Sequence, residues 1–324
     1  MPPLDHYISQ VHLRNFYSRS LGDRVFAMGK SDLTAFAPNS QSICRIDDGN
    51  TNPYLREPRA IEEFLKTVEP RYNRALEKLV GDNIDHEAIY TIAGFLAYVM
   101  TCSPGGMRIL AEPPRRMIES AVAVAEAHGQ IPLPPEELAG RSLVELLRTG
   151  DIEIEVDRQY PQAVGIANIF RFVAFFGNSA WEILVNPFDR NPFFTSDYPV
   201  GIESTIDPRV LNRIVPLAPN LAVRIMPDIT IARTPPDFSF ARFRYQKKNI
   251  SRHELIEVNR LIVRCAEDTV FYRDDYAWVR EFITKNRGYR IEHETYERSD
   301  DEGSLLFFRQ RIVKFTPSPP EDRG

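Results

Sequence analysis

Polar side chains cluster near the N-terminus in the segment HYISQVHLRNF. Its polar positions include His6, Tyr7, Gln10 and Asn15, and apolar residues stand between them. The pattern predicts polar groups held against a core, and an imidazole is the side chain that most readily exchanges protons near neutral pH. His6 is therefore a candidate catalyst, although a histidine that only braces the first helix fits the same pattern. His12 is the weaker candidate.

Two carboxylates are predicted to share one face of the first long helix. Apolar residues recur with helical spacing from Ala60 to Val80, and Pro70 should kink this helix. Glu62 and Glu69 both fall beside the apolar stripe. Carboxylates placed there can line a cleft and bind a cationic group in bidentate fashion, or they can pair with basic side chains of the same helix.

Further polar residues lie at the end of a predicted strand and in a buried-looking helix. Thr195, Ser196 and Asp197 follow two phenylalanines and precede a proline, which suits a strand that ends in a turn. The aspartate either forms the turn or stands as an acid at the mouth of a sheet. Arg171 is the only charge in the segment IANIFRFVAFF, and a buried arginine needs a carboxylate partner. Structural and functional pairing are both open for it.

Basic and aromatic residues are interleaved in the segment FSFARFRYQKKNISR. On an alternating strand the arginines point to one face, and Phe243 and Tyr245 point to the other. Such a stripe can contact a nucleic-acid backbone and its exposed bases, or it can be the solvated outer face of a strand. The basic residues concerned are Arg242, Arg244, Lys247, Lys248 and Arg252.

The order of the predicted elements indicates an α+β fold. Helical spacing dominates up to about residue 178 and strand-like alternation afterwards, with two helices at 251–267 and 275–286. This order favours helices packed on a mainly antiparallel sheet over a doubly wound parallel sheet. We expect a single compact domain over residues 1–318, helix-rich over 1–178 and sheet-rich over 179–318, with a C-terminal hairpin and a disordered tail at 319–324.

Composition excludes several protein classes. The 324 residues are 43% hydrophobic and 26% charged, with 3 cysteines and a net charge of −5. A disordered chain would have fewer apolar residues, and a disulfide scaffold would have more cysteines. We find neither a signal peptide nor a run of about 18 apolar residues, which predicts a soluble cytoplasmic protein. The segment GDRVFAMGKS lacks the first glycine of a phosphate-binding loop, because Arg24 occupies that position.

Several motifs, taken in their order along the chain, resemble a known family. They are HYISQVHLRNF, IEEFLKTVE, SAWEILVNPFDRNPFFTSDYPV, VPLAPNLAVRI and EVNRLIVRCAEDTVFYRD. Together they resemble the HYVPQ-type family catalogued as domain of unknown function 4238, over nearly the whole chain. Ile8 and Ser9 replace two residues of the usual HYVPQ, and Tyr198 replaces the asparagine of the usual SDNP. The branch that this sequence resembles is associated with arginine-containing cyclodipeptide synthases.

The resemblance implies an aminoacyltransferase that uses charged tRNAs. Such an enzyme draws two amino acids, one of them arginine, from aminoacyl-tRNAs and joins them into a diketopiperazine. Because the ester of an aminoacyl-tRNA is already activated, no ATP site is needed, and we expect neither a cofactor nor a metal. The implied partners are arginyl-tRNA and a second charged tRNA, with no membrane and no DNA.

The implied activity suggests catalytic roles for residues already singled out. His6 is the candidate base and Tyr7 a proton relay. Ser196 and Thr195 are alternative acceptors of an aminoacyl group, and the donors to the developing oxyanion are Gln10, Asn15 or Asn259. Asp197 is included among the catalytic candidates.

The resemblance also implies which residues contact the substrate. An arginine substrate demands a carboxylate pocket, for which the candidates are Glu62, Glu69 and Asp197 in that order. Arg171 and Thr195 are further candidates for substrate contacts. The basic stripe from Arg242 to Arg252 would then receive the tRNA acceptor stem.

Two alternatives from other classes stay open. A hydrolase or nuclease could use His6, Asp197 and the carboxylate helix on phosphodiesters with the help of a metal. In a non-catalytic binding module, the same polar motifs would only brace the fold.

Overall fold

A computed structural model describes residues 3–132, 140–231, 234–300 and 303–315, and it describes side chains in these ranges except at 297–304. Most of the helices lie in the first half of the chain and most of the strands in the second, which confirms the α+β class. The predicted disordered tail at 319–324 lies outside the described residues.

The helices follow the predicted spacing of apolar residues. They are α1 (Gln10–Arg14), α2 (Ala60–Val68), α3 (Tyr72–Val80), α4 (His86–Cys102), α5 (Pro104–Ala127), α6 (Leu143–Thr149), α7 (Gln159–Ala167), α8 (Ile169–Gly177), α9 (Arg252–Cys265) and α10 (Ala277–Asn286). Helix α5 runs through Pro113 and Pro114 without ending. Residues 159–177 form two helices that meet at Asn168.

Pro70 kinks the first long helix as predicted. Helix α2 ends at Val68, a 3₁₀ turn spans Glu69–Arg71, and α3 begins at Tyr72. Proline has no N–H to donate to the preceding turn, and its ring clashes with a carbonyl of that turn. The kink places Glu69 at the bend between the two helices.

Helix α4 forms the centre of the helical half. Nearly all of its residues are buried, and it packs against α2, α3, α5, α7 and α8. Gly94 allows α2 to approach closely, because a Cβ at that position would lie 2.8 Å from Val68 Cγ2. Phe64 of α2 is buried in the same contact, and burying a side chain of this size contributes about 1.5–3 kcal/mol. This packing fixes the helix that carries the two predicted carboxylates.

The strands form two larger sheets, a two-stranded pair and a hairpin. They are β1 (Leu4–His6), β2 (Phe26–Gly29), β3 (Ala35–Phe36), β4 (Arg45–Asp47), β5 (Ala180–Val185), β6 (Thr195–Ser196), β7 (Gly201–Ser204), β8 (Leu211–Ala218), β9 (Leu221–Met226), β10 (Arg244–Asn249), β11 (Thr269–Tyr272), β12 (Tyr289–Asp300) and β13 (Gly303–Lys314). One sheet has the order β10-β5-β9-β8-β7, with β10 and β5 parallel and the other pairs antiparallel. The other has the antiparallel order β3-β2-β11-β6.

The remaining strands form two separate pairs. Strand β1 pairs with β4 in an antiparallel manner, and β12 pairs with β13 in the predicted C-terminal hairpin. A hydrophobic cluster joins the helices to the five-stranded sheet and contains Ile8, Tyr98, Trp181 and Val223. The N-terminal segment and both halves of the chain therefore share buried surface.

No single helix in the described ranges is long and apolar enough to cross a membrane. Helices α4 and α5 together have the length and apolar composition of a membrane span, but they are bent by 64° at their junction. Helix α4 is buried within the protein.

Candidate functional site

A cleft of about 620 Å³ lies between the N-terminal segment and helix α2. Strand β1 and the start of α1 form one wall, and α2 with its 3₁₀ extension forms the other. The polar side chains that line it include Asp5, His6, Ser9, Gln10, Glu62 and Glu69. Four residues predicted from the sequence as site candidates, His6, Gln10, Glu62 and Glu69, thus meet in one cavity.

His6 is held at the end of strand β1 and faces the cleft. Its backbone pairs with Arg45 of β4, and its carbonyl accepts a hydrogen bond of 2.7 Å from the hydroxyl of Tyr98. The Nε2 atom of the imidazole is buried and has no hydrogen-bond partner among the described residues. The backbone of His6 is therefore anchored, whereas Nε2 of its ring makes no hydrogen bond in the described structure.

The wall formed by α2 and the 3₁₀ turn carries two carboxylates, of which Glu62 is ion-paired and Glu69 has no ion pair in the described structure. Arg59 donates to both oxygens of Asp5, at 2.8 and 3.2 Å, and also to Glu62. These hydrogen bonds raise the pKa of the Arg59 guanidinium. Glu69 is half-buried in the cleft and makes no ion pair within 4.0 Å to any basic group in the described part of the chain. Glu69 therefore has a carboxylate available for a cationic ligand.

Gln10 offers a donor to the same cavity. Its Oε1 accepts from Arg14 Nη2 at 3.0 Å and from Ser40 Oγ at 3.3 Å, which orients the side-chain amide. Asn15 lies elsewhere, in a neighbouring cavity of about 510 Å³, where its Nδ2 donates to Asn73 Oδ1 at 2.9 Å. Of these two amides, only that of Gln10 lines the cleft with His6.

The Asp197 carboxylate lies in a separate buried cluster. It accepts hydrogen bonds from the backbone N–H groups of Glu267, Asp268 and Thr269 at 2.7 to 2.9 Å. Burial and the nearby Asp268 raise the pKa of Asp197 to about 7, whereas the N–H donors and the Lys30 ammonium act in the opposite direction. The carboxylate therefore holds the start of β11 against β6 through donors 70 to 72 positions away, a contact that neither the turn-forming nor the acid alternative predicted.

Tyr7 points toward that cluster and is absent from the cleft lining. Burial, Cys44 and Asp197 raise the pKa of its phenol. Lys30, from the segment that superficially resembles a phosphate-binding loop, is also buried there and donates to the backbone carbonyls of Ala266 and Tyr289. Neither Tyr7 nor Asp197 lines the cleft with His6, so their catalytic roles stay predictions.

Thr195, Ser196 and Asn259 are also buried within the protein. Thr195 Oγ1 bonds His12 Nε2 at 2.8 Å, and Ser196 Oγ accepts from the backbone of Tyr198 at 3.2 Å. Asn259 bridges two backbone groups, donating to the Pro192 carbonyl and accepting from the Phe194 N–H, both at 2.9 Å. The structure gives these three side chains bracing contacts and places none of them in the cleft lining.

The predicted burial of Arg171 is wrong. The residue is exposed on α8, and its Nη1 donates to Asn168 Oδ1 at 3.0 Å. The helix turns this position to solvent beside the exposed Phe170, while Ile169 and Val173 pack inward, so the guanidinium needs no carboxylate partner. Arg171 does not line the cleft.

The match to known families is clear over most of the chain. Residues 5–276 match the family described as Protein of unknown function (DUF4238). The chain belongs to this family. Neither the curated proteins nor the solved structures contain a match.

The basic stripe lies within the DUF4238 region, at the edge of the five-stranded sheet. Arg242, Arg244, Lys247 and Arg252 are exposed, and Phe243 stacks on Tyr245 with ring centroids 5.7 Å apart. The exception is Lys248, which is half-buried and bonded to Glu182 and Glu254. Lys247 donates to the carbonyl of Val80, at the end of α3. This hydrogen bond joins the stripe to α3, which follows directly after α2 and the 3₁₀ turn that carry Glu62 and Glu69.

Several cleft residues of this DUF4238 protein were not predicted. Asp5, Ser9 and Asn50 line the cavity, and Ser9 Oγ is buried with no hydrogen-bond partner among the described residues. The sequence carries a weak signal for Asp5, which directly precedes His6, and none for Asn50, which reaches the site through a loop. The His12–Thr195 bond was also missed, because its partners are 183 residues apart.

Metal ligation has no evident place in the described portion of the protein. No group of three or more His, Cys, Asp or Glu side chains within it converges in a way that could hold a metal ion. The cleft acids are instead arranged around Arg59 or left for a cationic ligand.

Proposed function

We propose that this protein is an aminoacyl-tRNA-dependent cyclodipeptide synthase that joins arginine to a second amino acid. The observation that carries the proposal is the unpaired carboxylate of Glu69 in the same cleft as the unpaired Nε2 of His6. A carboxylate is the group that binds a guanidinium in bidentate fashion, and an imidazole is the group that accepts a proton near neutral pH. The resemblance to the arginine-using branch fits this pair of groups.

The reaction requires two aminolysis steps at activated esters. The α-amino group of one aminoacyl-tRNA attacks the ester carbonyl of the other, and the tRNA 3′-oxygen leaves as the new amide forms. His6 Nε2 accepts the proton from the attacking amine and returns it to the leaving oxygen. The free amine of the dipeptidyl ester then attacks the remaining ester, which closes the six-membered ring and releases the second tRNA.

Close positioning supplies much of the rate in such a scheme. Both reactants are bound, so amine attack becomes an intramolecular event. The side-chain amide of Gln10, oriented through its Oε1, can donate a hydrogen bond to the oxyanion that develops in each step. A cleft of about 620 Å³ is within the range of small-molecule sites.

The basic stripe supports the proposed use of tRNA. Val80, whose carbonyl accepts from Lys247, lies eleven positions after Glu69, a span of roughly 16 Å at the rise of an α-helix. A bound acceptor stem could contact the exposed cations with its phosphates while its aminoacyl end enters the cleft. Because aminoacyl-tRNA is a cytoplasmic substrate, we expect the protein to act in the cytoplasm.

The test is product formation from purified components. Purified protein, arginyl-tRNA and a second charged tRNA should yield an arginine-containing diketopiperazine without added ATP, as identified by mass spectrometry. Ribonuclease treatment of the charged tRNAs should abolish the product. Equal yield from free amino acids and ATP would show that the tRNA mechanism is wrong.

The alternatives receive less support from the geometry. A nuclease that combines His6 with Asp197 needs both groups at one site, but Asp197 lies in the buried cluster beside β11. A binding module without catalysis does not explain why His6 and Glu69 are left unpaired in one cavity. Incubation of uncharged tRNA with the protein separates these cases, because only a nuclease shortens the RNA.

A further inference from the structure

A second cavity, of about 750 Å³, lies between strand β8 and the C-terminal hairpin. Its lining includes Arg213 of β8 and His293, Tyr296, Phe307 and Gln310 of the hairpin. It shares no lining residue with the cleft at His6. The hairpin also lies beyond residue 276, where the family match ends. This cavity is therefore a feature separate from the site described above.

Arg213 brings a half-buried cation with no carboxylate partner in the described structure to this cavity. Its Nη2 donates to Gln310 Oε1 at 2.9 Å, whereas its Nη1 is buried without a hydrogen-bond partner. No described carboxylate lies within 4.0 Å of the guanidinium, and burial lowers its pKa. Removing a charge from water without a partner is costly, so an anion bound here would recover much of that cost.

Other polar atoms of the lining are also unpaired. His293 Nδ1 and Arg309 Nε are buried without partners in the described structure. Burial lowers the pKa of His293 to about 4, so the imidazole is neutral at neutral pH. The unpaired groups are thus parts of two guanidinium groups, Arg213 Nη1 and Arg309 Nε, and a nitrogen of a neutral imidazole, a set that suits the oxygen atoms of an anion.

Acidic side chains near the cavity are already neutralised. Asp207 accepts from Arg209 at 2.7 Å, and Glu294 accepts from Arg311 at 2.8 Å. Glu112, which interacts with His293 electrostatically, is bonded to both Arg115 and Arg116. Among the residues whose side chains the structure describes, none that lines the cavity is acidic. The cavity therefore favours a negative ligand.

Exposed aromatic rings form another part of the lining. Tyr296 and Phe307 are directly paired across the hairpin and are 44% and 52% exposed. Phe308 lies edge-on to His293 with ring centroids 6.5 Å apart. Large rings left in contact with water at a cavity are suited to stacking on a flat heterocycle.

We propose that this cavity binds a nucleotide, with the phosphate on the guanidinium of Arg213 and the base against the rings of Tyr296 and Phe307. The phosphate supplies acceptors for the unpaired donors, and the base covers the exposed rings. The shared chemistry is a nucleoside phosphate, which a free nucleotide or an RNA chain can supply. The proposal is independent of the cyclodipeptide activity, and its test requires no charged tRNA.

The first test is calorimetric titration of the full chain with AMP, adenosine and inorganic phosphate. AMP should bind more tightly than either fragment, because it makes both kinds of contact. Arg213→Gln should weaken AMP binding about tenfold or more, whereas Arg190→Gln, a change at an exposed arginine outside this cavity, should leave it unchanged. Failure of AMP to bind, or equal binding by Arg213→Gln, would overturn the proposal.

Melting temperatures and substitutions of the two rings distinguish a loss of binding from a loss of folding. Without AMP, Arg213→Gln should melt no lower than the unsubstituted protein, since the substitution removes a half-buried charge with no carboxylate partner in the described structure. Tyr296→Ala and Phe307→Ala should weaken AMP binding and leave phosphate binding unchanged. If the ring variants bind AMP normally, the rings do not contact the base and the nucleotide assignment is wrong.

Competition then identifies the source of the nucleotide. Displacement of AMP by an uncharged tRNA would assign the phosphate and base to an RNA chain. Retention of AMP in the presence of excess tRNA would assign them to a free nucleotide. In both cases the Arg213→Gln variant must lose the bound ligand.

Discussion

The imidazole of His12 and the hydroxyl of Thr195 are hydrogen-bonded at 2.8 Å in the interior, although 183 residues separate them. The other imidazole nitrogen, Nδ1, bonds the hydroxyl of Tyr72 at 2.7 Å, and the ring stacks on Phe95. All four side chains are buried. This contact joins the first helix to a short strand of the second half, so Thr195 contributes to the packing of both halves.

Loss of the Thr195 hydroxyl should destabilise the protein. Thr195→Val removes the partner of His12 Nε2 and leaves a buried polar atom unsatisfied, so we expect the free energy of unfolding to fall by about 1–3 kcal/mol. Urea unfolding measures this change, with Thr284→Val at an exposed helical position as the control. If Thr195→Val were instead fully stable but inactive, the threonine would act in catalysis.

The stabilisation from His12 should depend on pH. Burial lowers the pKa of His12 to about 3, whereas an imidazole in an unfolded chain has a pKa near 6.5. Between these values only the unfolded chain binds the proton, so this contribution is fully present above about pH 6.5 and is lost as pH falls toward 3. Comparison with His12→Gln should show a stability difference that shrinks by about 1.4 kcal/mol per pH unit in that range. A difference independent of pH would mean that His12 is protonated in the folded protein.

Glu69→Gln should impair the use of arginine while leaving the fold intact. The carboxylate has no ion pair to lose within the described structure, so the melting temperature should change little. Loss of a charge-assisted contact to the guanidinium should reduce kcat/KM for arginyl-tRNA by about 10- to 100-fold. Glu63→Gln is the matched control, since Glu63 lies on the preceding helix α2 but is exposed and paired with Lys66. Equal effects of the two substitutions would exclude Glu69 from substrate recognition.

His6→Gln should remove the proposed general base. We expect turnover to fall by about 100- to 10,000-fold, the usual contribution of general-base catalysis. The unfolding free energy should change little, because Nε2 has no partner to lose among the described residues. His128→Gln, at an exposed histidine near the end of α5, is the control. Full activity of His6→Gln would require another base for amine attack.

The exposed cations at β10 should contribute to tRNA affinity by binding phosphates. Arg242→Gln combined with Arg244→Gln should weaken binding and reduce the dependence of log K on log salt by about 1 for each phosphate that the variant no longer neutralises. Lys285→Gln is the control, because Lys285 is exposed on α10 and already paired with Glu281. Titrations of tRNA at several salt concentrations give both quantities. An unchanged salt slope in the double variant would place the RNA on another surface.

The sequence predicted the architecture well where the signal is local. Helical spacing in 60–80 reflects one buried face, and Pro70 interrupts the helix for a covalent reason, so both features hold in the structure. Arg171 shows where such reasoning fails. One polar position in an apolar helix can face water at no cost, and only the packing of α8 decides which side is outward.

Contacts between residues remote in sequence decided which of the predicted site candidates line the cleft. Residue type and spacing selected His6, Glu62, Glu69 and Asp197 on nearly equal terms. Folding then brought the first three to one cleft and gave Asp197 three backbone donors elsewhere. Arg59 neutralises Asp5 and Glu62 across 54 and 3 residues of chain, and this pairing leaves Glu69 as the available acid.

The sequence by itself therefore determined the family, the α+β order and the groups able to move a proton or bind a cation. These depend on residue identity and on periodicities within single elements. The tertiary structure alone decided which of those groups are unpaired and open to a ligand. Burial and ion pairing depend on the distance between residues remote in sequence, as the His12–Thr195 contact and the unpaired Nη1 of Arg213 both show.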